Sequence, residues 1–196
     1  MAGTLSVQKI QGLATSATPT TVEIASGHKI SGAAGSILVP GQVIQTKHVS
    51  HNAVSVHTSN SFTDWFQLDI TPKSATSIML IHVSCSYAHG NSYSGLVRLA
   101  RTISGGSTVA VGGGTNTQSA YTPGALFNNR ETTSYAMHTY ATTVTDTLST
   151  TTTTNYKVQT WTGGGTSIYL NRTGNNGNNN YDTSLASTLT IYEVAQ

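Results

Sequence analysis

The feature of this sequence that most constrains its fold is the two-residue period of its apolar side chains. The clearest run covers residues 77–87 and places an apolar side chain at every second position: Met79, Ile81, Val83, Cys85 and Tyr87. Residues two apart share one face of a β-strand, whereas an amphipathic helix needs apolar residues three and four apart. Because helical spacing is close to absent in the rest of the chain, the sequence predicts an all-β protein.

Clusters of Gly, Ser, Asn and Pro separate the other β-branched and aromatic runs. We predict strands over residues 42–49, 64–70, 95–103, 107–111, 134–144, 155–161, 166–172 and 185–194. Within 64–70 we expect two opposite faces, one with Trp65, Gln67 and Asp69 and the other with Phe66, Leu68 and Ile70. About eight or nine antiparallel strands separated by turns predict a β-sandwich or jelly roll, which we assign to residues 41–196 as a head domain.

The first forty residues have too few apolar side chains to form a core of their own. A segment of this kind gains stability by docking on another chain or on a scaffold. We therefore predict that residues 1–40 form an extended N-terminal attachment arm or short shaft. Its candidate attachment residues are Leu5, Val7, Ile10, Val22 and Ile24.

Charged residues are scarce, which excludes several classes of function. They make up 8 % of the chain, with a net charge of +2, whereas about 25 % is usual in soluble domains. The cations are scattered, apart from Arg98 and Arg101, so we expect no nucleic-acid binding. The longest clear apolar run, residues 78–81, is far shorter than the ~20 residues of a membrane span, so we expect no membrane insertion. Low charge also keeps the repulsion between identical copies small, which favours assembly.

The seven acidic residues are few for a glycan-cleaving enzyme, which uses two carboxylates that flank the scissile bond. Asp64 and Asp69 are expected on opposite faces of one strand, where they cannot share a site. The remaining acidic residues are Glu23, Glu131, Asp146, Asp182 and Glu193. We therefore expect no enzymatic activity and no cofactor.

The seven histidines raise the question of a metal site: His28, His48, His51, His57, His82, His89 and His138. No pair of them is spaced to share a strand face closely, and no cysteine cluster assists. We predict no metal site within one chain. In a trimer, one histidine near the threefold axis would occur three times and could form a site. The alternative is that all seven are ordinary polar residues.

Two polar segments are candidates for contact with a partner. Residues 171–182 are rich in Asn and Gly, a composition typical of an exposed loop. Amide groups can pair with sugar hydroxyls and a tyrosine ring offers a flat face, so we predict a receptor-binding loop; the alternative is a turn that serves solubility. Its candidate residues are Asn175, Asn176, Asn178, Asn179, Asn180 and Tyr181. The second candidate loop, residues 87–93, has His89, Asn91 and Tyr93.

Residues 142–154 are mostly threonine. Threonine favours extended backbone but offers little apolar surface to bury. The segment is either a polar loop or a strand whose hydroxyl groups pair across subunits, and the sequence does not choose between them.

Several short blocks, in this order along the chain, resemble the small tail-fibre-like structural proteins of marine bacteriophages, such as those that infect cyanobacteria. The blocks are ITPKSATS (70–77) before IMLIHV (78–83), then NYKVQ (155–159), IYLNR (168–172) and STLTIYEV (187–194). Two earlier blocks resemble the leader of those proteins: GHKISG (27–32) and PGQV (40–43). The resemblance covers about residues 40–196 and contains no catalytic motif.

The resemblance implies a virion protein: a homotrimer whose arm binds other virion proteins of the tail or capsid and whose β-sandwich head points outward. It implies no binding residues. Together with the two loops, it leads us to expect a tail fibre that recognises a host-surface glycan. The alternatives are a capsid fibre or decoration protein that binds no host molecule, and a glycan-degrading spike.

Overall fold

The computed structural model describes residues 26–27, 29, 39–90, 94–113, 124–129, 136–164, 166–175, 177, 180 and 182–196. The regular structure in these ranges is entirely β. The described part of the chain contains no helix that could span a membrane. The candidate attachment residues Leu5, Val7, Ile10, Val22 and Ile24 lie outside the described residues.

The strands in chain order are β1 (Val43–His51), β2 (Ser55–His57), β3 (Thr63–Ile70), β4 (Ile78–His89), β5 (Gly95–Ile103), β6 (Thr108–Val111), β7 (Ala125–Asn129), β8 (Met137–Thr147), β9 (Thr154–Thr162), β10 (Ile168–Leu170) and β11 (Ser187–Val194). All of their pairings are antiparallel. The predicted all-β, antiparallel fold is confirmed.

The strands form two sheets. In sheet 1, β11 lies between β1 and β4, and β8 pairs with the other edge of β4. The short strand β10 pairs with β4 beyond the end of β11, and β2 pairs with β10. In sheet 2 the order is β3, β9, β5, with β6 and β7 both paired to the far edge of β5. The chain therefore passes back and forth between the sheets, which is the connectivity of a jelly roll.

The core lies between the two sheets. The face predicted for residues 77–87 is confirmed, because Met79, Ile81, Val83, Cys85 and Tyr87 are all fully buried. They pack with apolar residues of sheet 2 in one continuous cluster. Burial raises the pKa of the Cys85 thiol, as expected of a small buried residue and not of a reactive one.

Strand β3 departs from simple alternation. Its pairing with β9 contains a β-bulge between Asp64 and Phe66, and both Trp65 and Phe66 are buried in the core. The prediction that these two side chains lie on opposite faces is therefore wrong. A bulge adds one residue to a strand and shifts the alternation on one side of it.

The threonine-rich segment is divided between a strand and a turn. β8 extends to Thr147 and pairs with β4 along its length, so the description as a polar loop is wrong for residues 142–147. Residues 148–153 form the turn that leads into β9. The position of these threonines in an edge strand agrees with the high β propensity of threonine.

The two ends of the sandwich differ. At the end we call proximal, residues 39–43 lead into β1, and the β3–β4, β5–β6 and β8–β9 connections turn there. The amide of Gly41 donates to the carbonyl of Ala195 at 2.8 Å, and the amide of Ala195 donates to the carbonyl of Gln42 at 2.9 Å. The β2–β3, β4–β5, β7–β8 and β9–β10 connections lie at the opposite, distal end.

The carboxylate of Glu193 holds the proximal end together. The fully buried Glu193 accepts hydrogen bonds from the amides of Lys73 (2.8 Å) and Ser74 (3.0 Å) and from the hydroxyl of Ser77 (2.6 Å), and also from the amide group of Gln45. Burial alone would raise the pKa of Glu193, but these hydrogen bonds hold it below its ordinary value. The β3–β4 turn is thereby tied to the last strand.

A second polar contact joins the two sheets. Arg101 of β5 donates to both oxygens of Asp146 on β8, each at 2.6 Å, and the hydroxyl of Tyr156 on β9 donates to the same carboxylate at 2.8 Å. Burial is the main reason that the pKa of Tyr156 is raised. Because β8 belongs to sheet 1 and β5 and β9 to sheet 2, this contact clamps the sandwich on its β8 side.

Candidate functional site

The chain leaves sheet 1 between β10 and β11, and we call residues 171–186 the excursion. β10 pairs with the last residues of β4, and β11 pairs with residues 78–84 on the same edge of β4. The excursion thus lies between two strands, β10 and β11, that follow one another along the same edge of β4. A loop that projects from a rigid sheet is a common place for binding residues.

The excursion begins as a short antiparallel stem. The amide of Leu185 donates to the carbonyl of Asn171, and the amide of Thr173 donates to the carbonyl of Thr183, each at 3.1 Å. The residues between them form an isolated β-bridge. The direction in which the excursion leaves the sheet is therefore set by backbone hydrogen bonds.

Asn171 anchors the stem to sheet 1. It is fully buried, and its backbone has a positive φ of 58°, a conformation that asparagine tolerates better than most residues. Its side-chain amide donates to the carbonyls of His51 (2.8 Å) and Ala53 (3.0 Å), and its Oδ1 accepts a hydrogen bond from the hydroxyl of Ser187 (2.6 Å). Asn171 thus acts as a structural residue at the base of the loop.

Asp182 organises the tip. Its carboxylate accepts a hydrogen bond from the amide of Gly177 at 2.9 Å. The hydroxyl of Thr173 lies 3.3 Å from the same carboxylate and 2.8 Å from the carbonyl of Asn175. Thr173 and Gly177 thus meet at one carboxylate, which ties them to Asp182 on the returning side of the excursion.

The predicted contact residues of this loop fall into two groups. Asn175 is half-buried and Asn180 is exposed. Asn176, Asn178, Asn179 and Tyr181 lie outside the described residues. The assignment of these six residues to a receptor-binding loop stays a prediction.

An aromatic and basic pair at the base of the excursion was not singled out from the sequence. The guanidinium of Arg172 lies 5.1 Å from the ring centroid of Tyr169 and donates to the carbonyl of Thr173 at 3.2 Å. Tyr169 pairs across the sheet with Val56, which is 40 % exposed. The available signal was that Tyr169 lies between two apolar residues in a strand pattern and so faces outward. A ring face beside a guanidinium offers stacking and hydrogen bonds to a polar ring-shaped ligand.

The second candidate loop differs from the prediction. His89 is the last residue of β4, is fully buried, and has Nε2 3.0 Å from the hydroxyl of Thr166. The prediction that it lies on an exposed loop is wrong, because the strand continues past residue 87 and turns this ring into the interior. The ring lies so close to Gly95 that a Cβ there would be 2.8 Å away. Asn91 and Tyr93 lie outside the described residues, in the distal β4–β5 connection.

The predicted separation of Asp64 and Asp69 is also wrong. The bulge in β3 pairs Asp64 with Gln159 and Asp69 with Asn155, which places both carboxylates on the outer face of sheet 2. Their partners are four residues apart on β9, about 13 Å at the usual rise of ~3.3 Å per residue. This exceeds the ~5–9.5 Å between the paired carboxylates of glycosidases.

Each carboxylate within the described residues is engaged in hydrogen bonds. Burial would raise the pKa of Asp64, but hydrogen bonds from Gln159 (2.6 Å) and Lys157 (2.9 Å) hold it below its ordinary value. Asp69 accepts from the amide group of Asn155 at 2.6 Å. The contacts of Asp146, Asp182 and Glu193 are described above. No group of three or more His, Cys, Asp or Glu in the described ranges could hold a metal ion.

Comparisons with known proteins assign this chain to no family. No family model matches the chain, and no curated protein matches it. Among solved structures, a chain in a structure of infectious bursal disease virus Gx strain aligns with 78 % of this chain at 12 % identity and a TM-score of 0.39. The present chain spans 37 % of the length of that chain. A likeness at this level carries no argument about the function of the protein.

Proposed function

We propose that the protein is a structural component of a bacteriophage virion, a trimeric fibre-like appendage that attaches by residues 1–40 and binds a host-surface glycan through the excursion. One observation carries this proposal: the start of the sandwich and the excursion lie far apart on sheet 1. Val194 pairs with both Val43 and Ile78 at the proximal end, whereas the amide of Asn171 donates to the carbonyl of Ser86. Ile78 and Ser86 are eight residues apart on β4, which corresponds to about 26 Å along the strand.

This placement suits a display protein. An arm that precedes residue 39 leaves from the proximal end, next to the C-terminal end of β11, while the excursion projects near the distal end. The stem, Asn171 and Asp182 hold the described part of the excursion in place, which lowers the entropy lost when this part binds a ligand. Three weak glycan sites on one trimer would act together and raise the overall affinity.

The setting rests on two further supports. The jelly roll is a fold of viral capsid and lectin domains, both of which match a displayed binding head. The ordered blocks of sequence that resemble marine phage fibre proteins support a virion in particular.

The direct test replaces residues 175–181 with a Gly-Ser linker of equal length and measures binding of the purified protein to host cells and to a glycan array. We expect at least a tenfold loss of binding with an unchanged melting temperature. The control is the same replacement of residues 149–152 in the proximal β8–β9 turn, which should bind like the wild type. Unchanged binding of the excursion variant would contradict the proposed site.

The arm has its own test. Removal of residues 1–40 should abolish incorporation into virions and leave a soluble oligomer with intact glycan binding. Incorporation of the wild type without any adsorption to host cells would favour a decoration protein. Release of reducing sugar ends from host polysaccharide would favour a glycan-degrading spike.

A further inference from the structure

The outer face of sheet 1 is a broad four-stranded surface without a charged side chain. On β4 it consists of Ile78, Leu80, His82 and Ser84. The partners of these residues on β8 and β11, and the partners of the β11 residues on β1, complete it. These side chains are threonine, serine, histidine, tyrosine, alanine and aliphatic residues. We call this surface the uncharged face.

The outer face of sheet 2 is different. It carries Asp64, Asp69, Arg98 and Lys157. Hydrogen bonds link Asp64 to Lys157 and, through Gln159, to Arg98, and Asp69 accepts separately from Asn155. The absence of charge is therefore a property of one face and does not follow from the composition alone. Depletion of Lys, Glu and Asp is typical of the centre of protein interfaces.

The proximal end of the uncharged face is apolar. Val43, Val194 and Ile78 lie in one cross-strand row, and Tyr192 and Leu80 lie side by side toward the distal end. Val43 is 49 % exposed and Leu80 is 37 % exposed. Exposed apolar side chains that form a contiguous patch are more informative than scattered ones, because they mark contact surfaces.

The middle of the face is polar but already bonded within itself. His48 and His82 flank Thr190 in the next row. Nδ1 of His48 lies 2.8 Å from the hydroxyl of Thr190, and Nδ1 of His82 lies 3.2 Å from the hydroxyl of Thr143. Covering polar groups that have partners costs less than covering free ones.

The size of the face suits an interface. Four strands at the usual spacing of ~4.8 Å span about 19 Å, and residues 78–84 of β4 span about 20 Å. The flat area is on the order of 400 Å², and the accessible area of its side chains is larger. A standard interface buries roughly 800 Å² per partner.

We propose that copies of this chain pack against one another through the uncharged face, about an axis roughly parallel to the strands of sheet 1. Identical charged faces would repel each other, whereas two copies of this face meet without like-charge contacts. A charged partner would gain no charge complementarity, because the uncharged face has no charged side chain to pair with it. An axis in this direction brings the apolar ends of the copies together and keeps all proximal ends on the same side. The contact does not depend on what the excursion binds.

The test measures the mass of the full chain by light scattering after size exclusion. We expect the wild type to be an oligomer of the 20.5 kDa chain, with the copy number given by the mass. Leu80→Lys and, separately, Thr143→Lys should lower the mass to that of one chain at micromolar concentration. Gln67→Lys, on an exposed position of the outer face of sheet 2, is the matched control and should keep the wild-type mass.

Circular dichroism checks that each variant is folded. Thr143 is exposed on an edge strand, so its variant keeps the test valid if Leu80→Lys fails to fold. His82→Cys adds an independent measurement, because mild oxidation should link chains through it and not through Gln67→Cys. The native Cys85 is fully buried and stays outside this reaction. A monomeric wild type, or an oligomer unchanged by both lysine variants, would overturn the proposal, even if the protein binds glycan.

Discussion

Replacement of Glu193 by alanine should destabilise the protein strongly, although this residue takes no part in the candidate site. The buried carboxylate receives hydrogen bonds from the amides of Lys73 and Ser74, the hydroxyl of Ser77 and the amide group of Gln45. An alanine leaves the amides of Lys73 and Ser74 without their acceptor, whereas the hydroxyl of Ser77 still has the carbonyl of Ser74 at 2.7 Å. The β3–β4 turn then loses its attachment to β11.

The magnitude follows from the number of donors. A buried donor that loses its partner costs about 1–3 kcal/mol, and the two amides are held in place by the backbone. We therefore expect Glu193→Ala to lower the free energy of unfolding by about 2–4 kcal/mol. Glu193→Gln keeps the shape and one acceptor oxygen but replaces the other with a donor, so we expect about 1–2 kcal/mol.

The effect of pH has a definite sign. The pKa of Glu193 is lower in the folded protein than the ordinary value of 4.5, so the unfolded chain takes up a proton first as the pH falls. The stabilisation by this carboxylate is present above about pH 4.5 and is lost as the pH falls through the folded pKa. Glutamine does not titrate, so the stability of the Glu193→Gln variant has no such contribution to lose as the pH falls. The difference in stability between wild type and Glu193→Gln should therefore shrink between pH 5 and pH 3.

The assay is urea unfolding followed by circular dichroism at pH 7, 5, 4 and 3, for the wild type and both variants. If Glu193→Ala lowers the free energy of unfolding at pH 7 by less than about 1 kcal/mol, the reasoning is refuted, because two amides without an acceptor should cost more than that. A difference between wild type and Glu193→Gln that stays constant down to pH 3 would refute the assigned direction of the pKa shift.

Three further predictions concern stability and are measured by urea or thermal unfolding. Asp146→Asn should cost about 2–4 kcal/mol, because it weakens the clamp between the sheets and leaves a guanidinium poorly paired; a change below 1 kcal/mol would show that the clamp contributes little. Gly112→Ala should lower the melting temperature more than Gly105→Ala: both have positive φ, but only at residue 112 would the new Cβ meet Val144, at 2.4 Å, and equal effects would contradict this. Asn171→Ala should cost about 2–3 kcal/mol, because the buried hydroxyl of Ser187 loses its acceptor and two partly buried carbonyls lose their donor, whereas the Gly-Ser replacement of the excursion tip should change stability by less than about 0.5 kcal/mol.

The positions of the long strands could be predicted from the sequence, because alternating burial is a local property of the chain. The inner face of β4 is the clearest example, and the bounds predicted for β5 agree with the structure. β2 and β7 were missed. They have three and five residues, and each is a strand because it pairs with β10 or β5 and not because of its own pattern.

The candidate site was predictable only in part. The Asn and Gly content of residues 171–182 indicated a loop, but not that Asn171 is a buried anchor or that Asp182 organises the tip. The sequence predicts a loop at His89 because the sequence pattern does not mark where β4 ends. For Asn171 and His89 the deciding contacts come from residues far away in the chain, such as His51 and Thr166.

The sequence by itself determined that this chain is all-β and poor in charge, because both properties depend on residue type and local spacing. Only the tertiary structure decided where the few charges lie. The bulge in β3 brings Asp64 and Asp69 to the same face, and strand pairing places Lys157 and Arg98 beside them. Asp146 and Arg101 meet between the sheets, and Glu193 is enclosed at the proximal end. The outer face of sheet 1 is left uncharged because strands distant in sequence come together there, and no local pattern records which strands become neighbours.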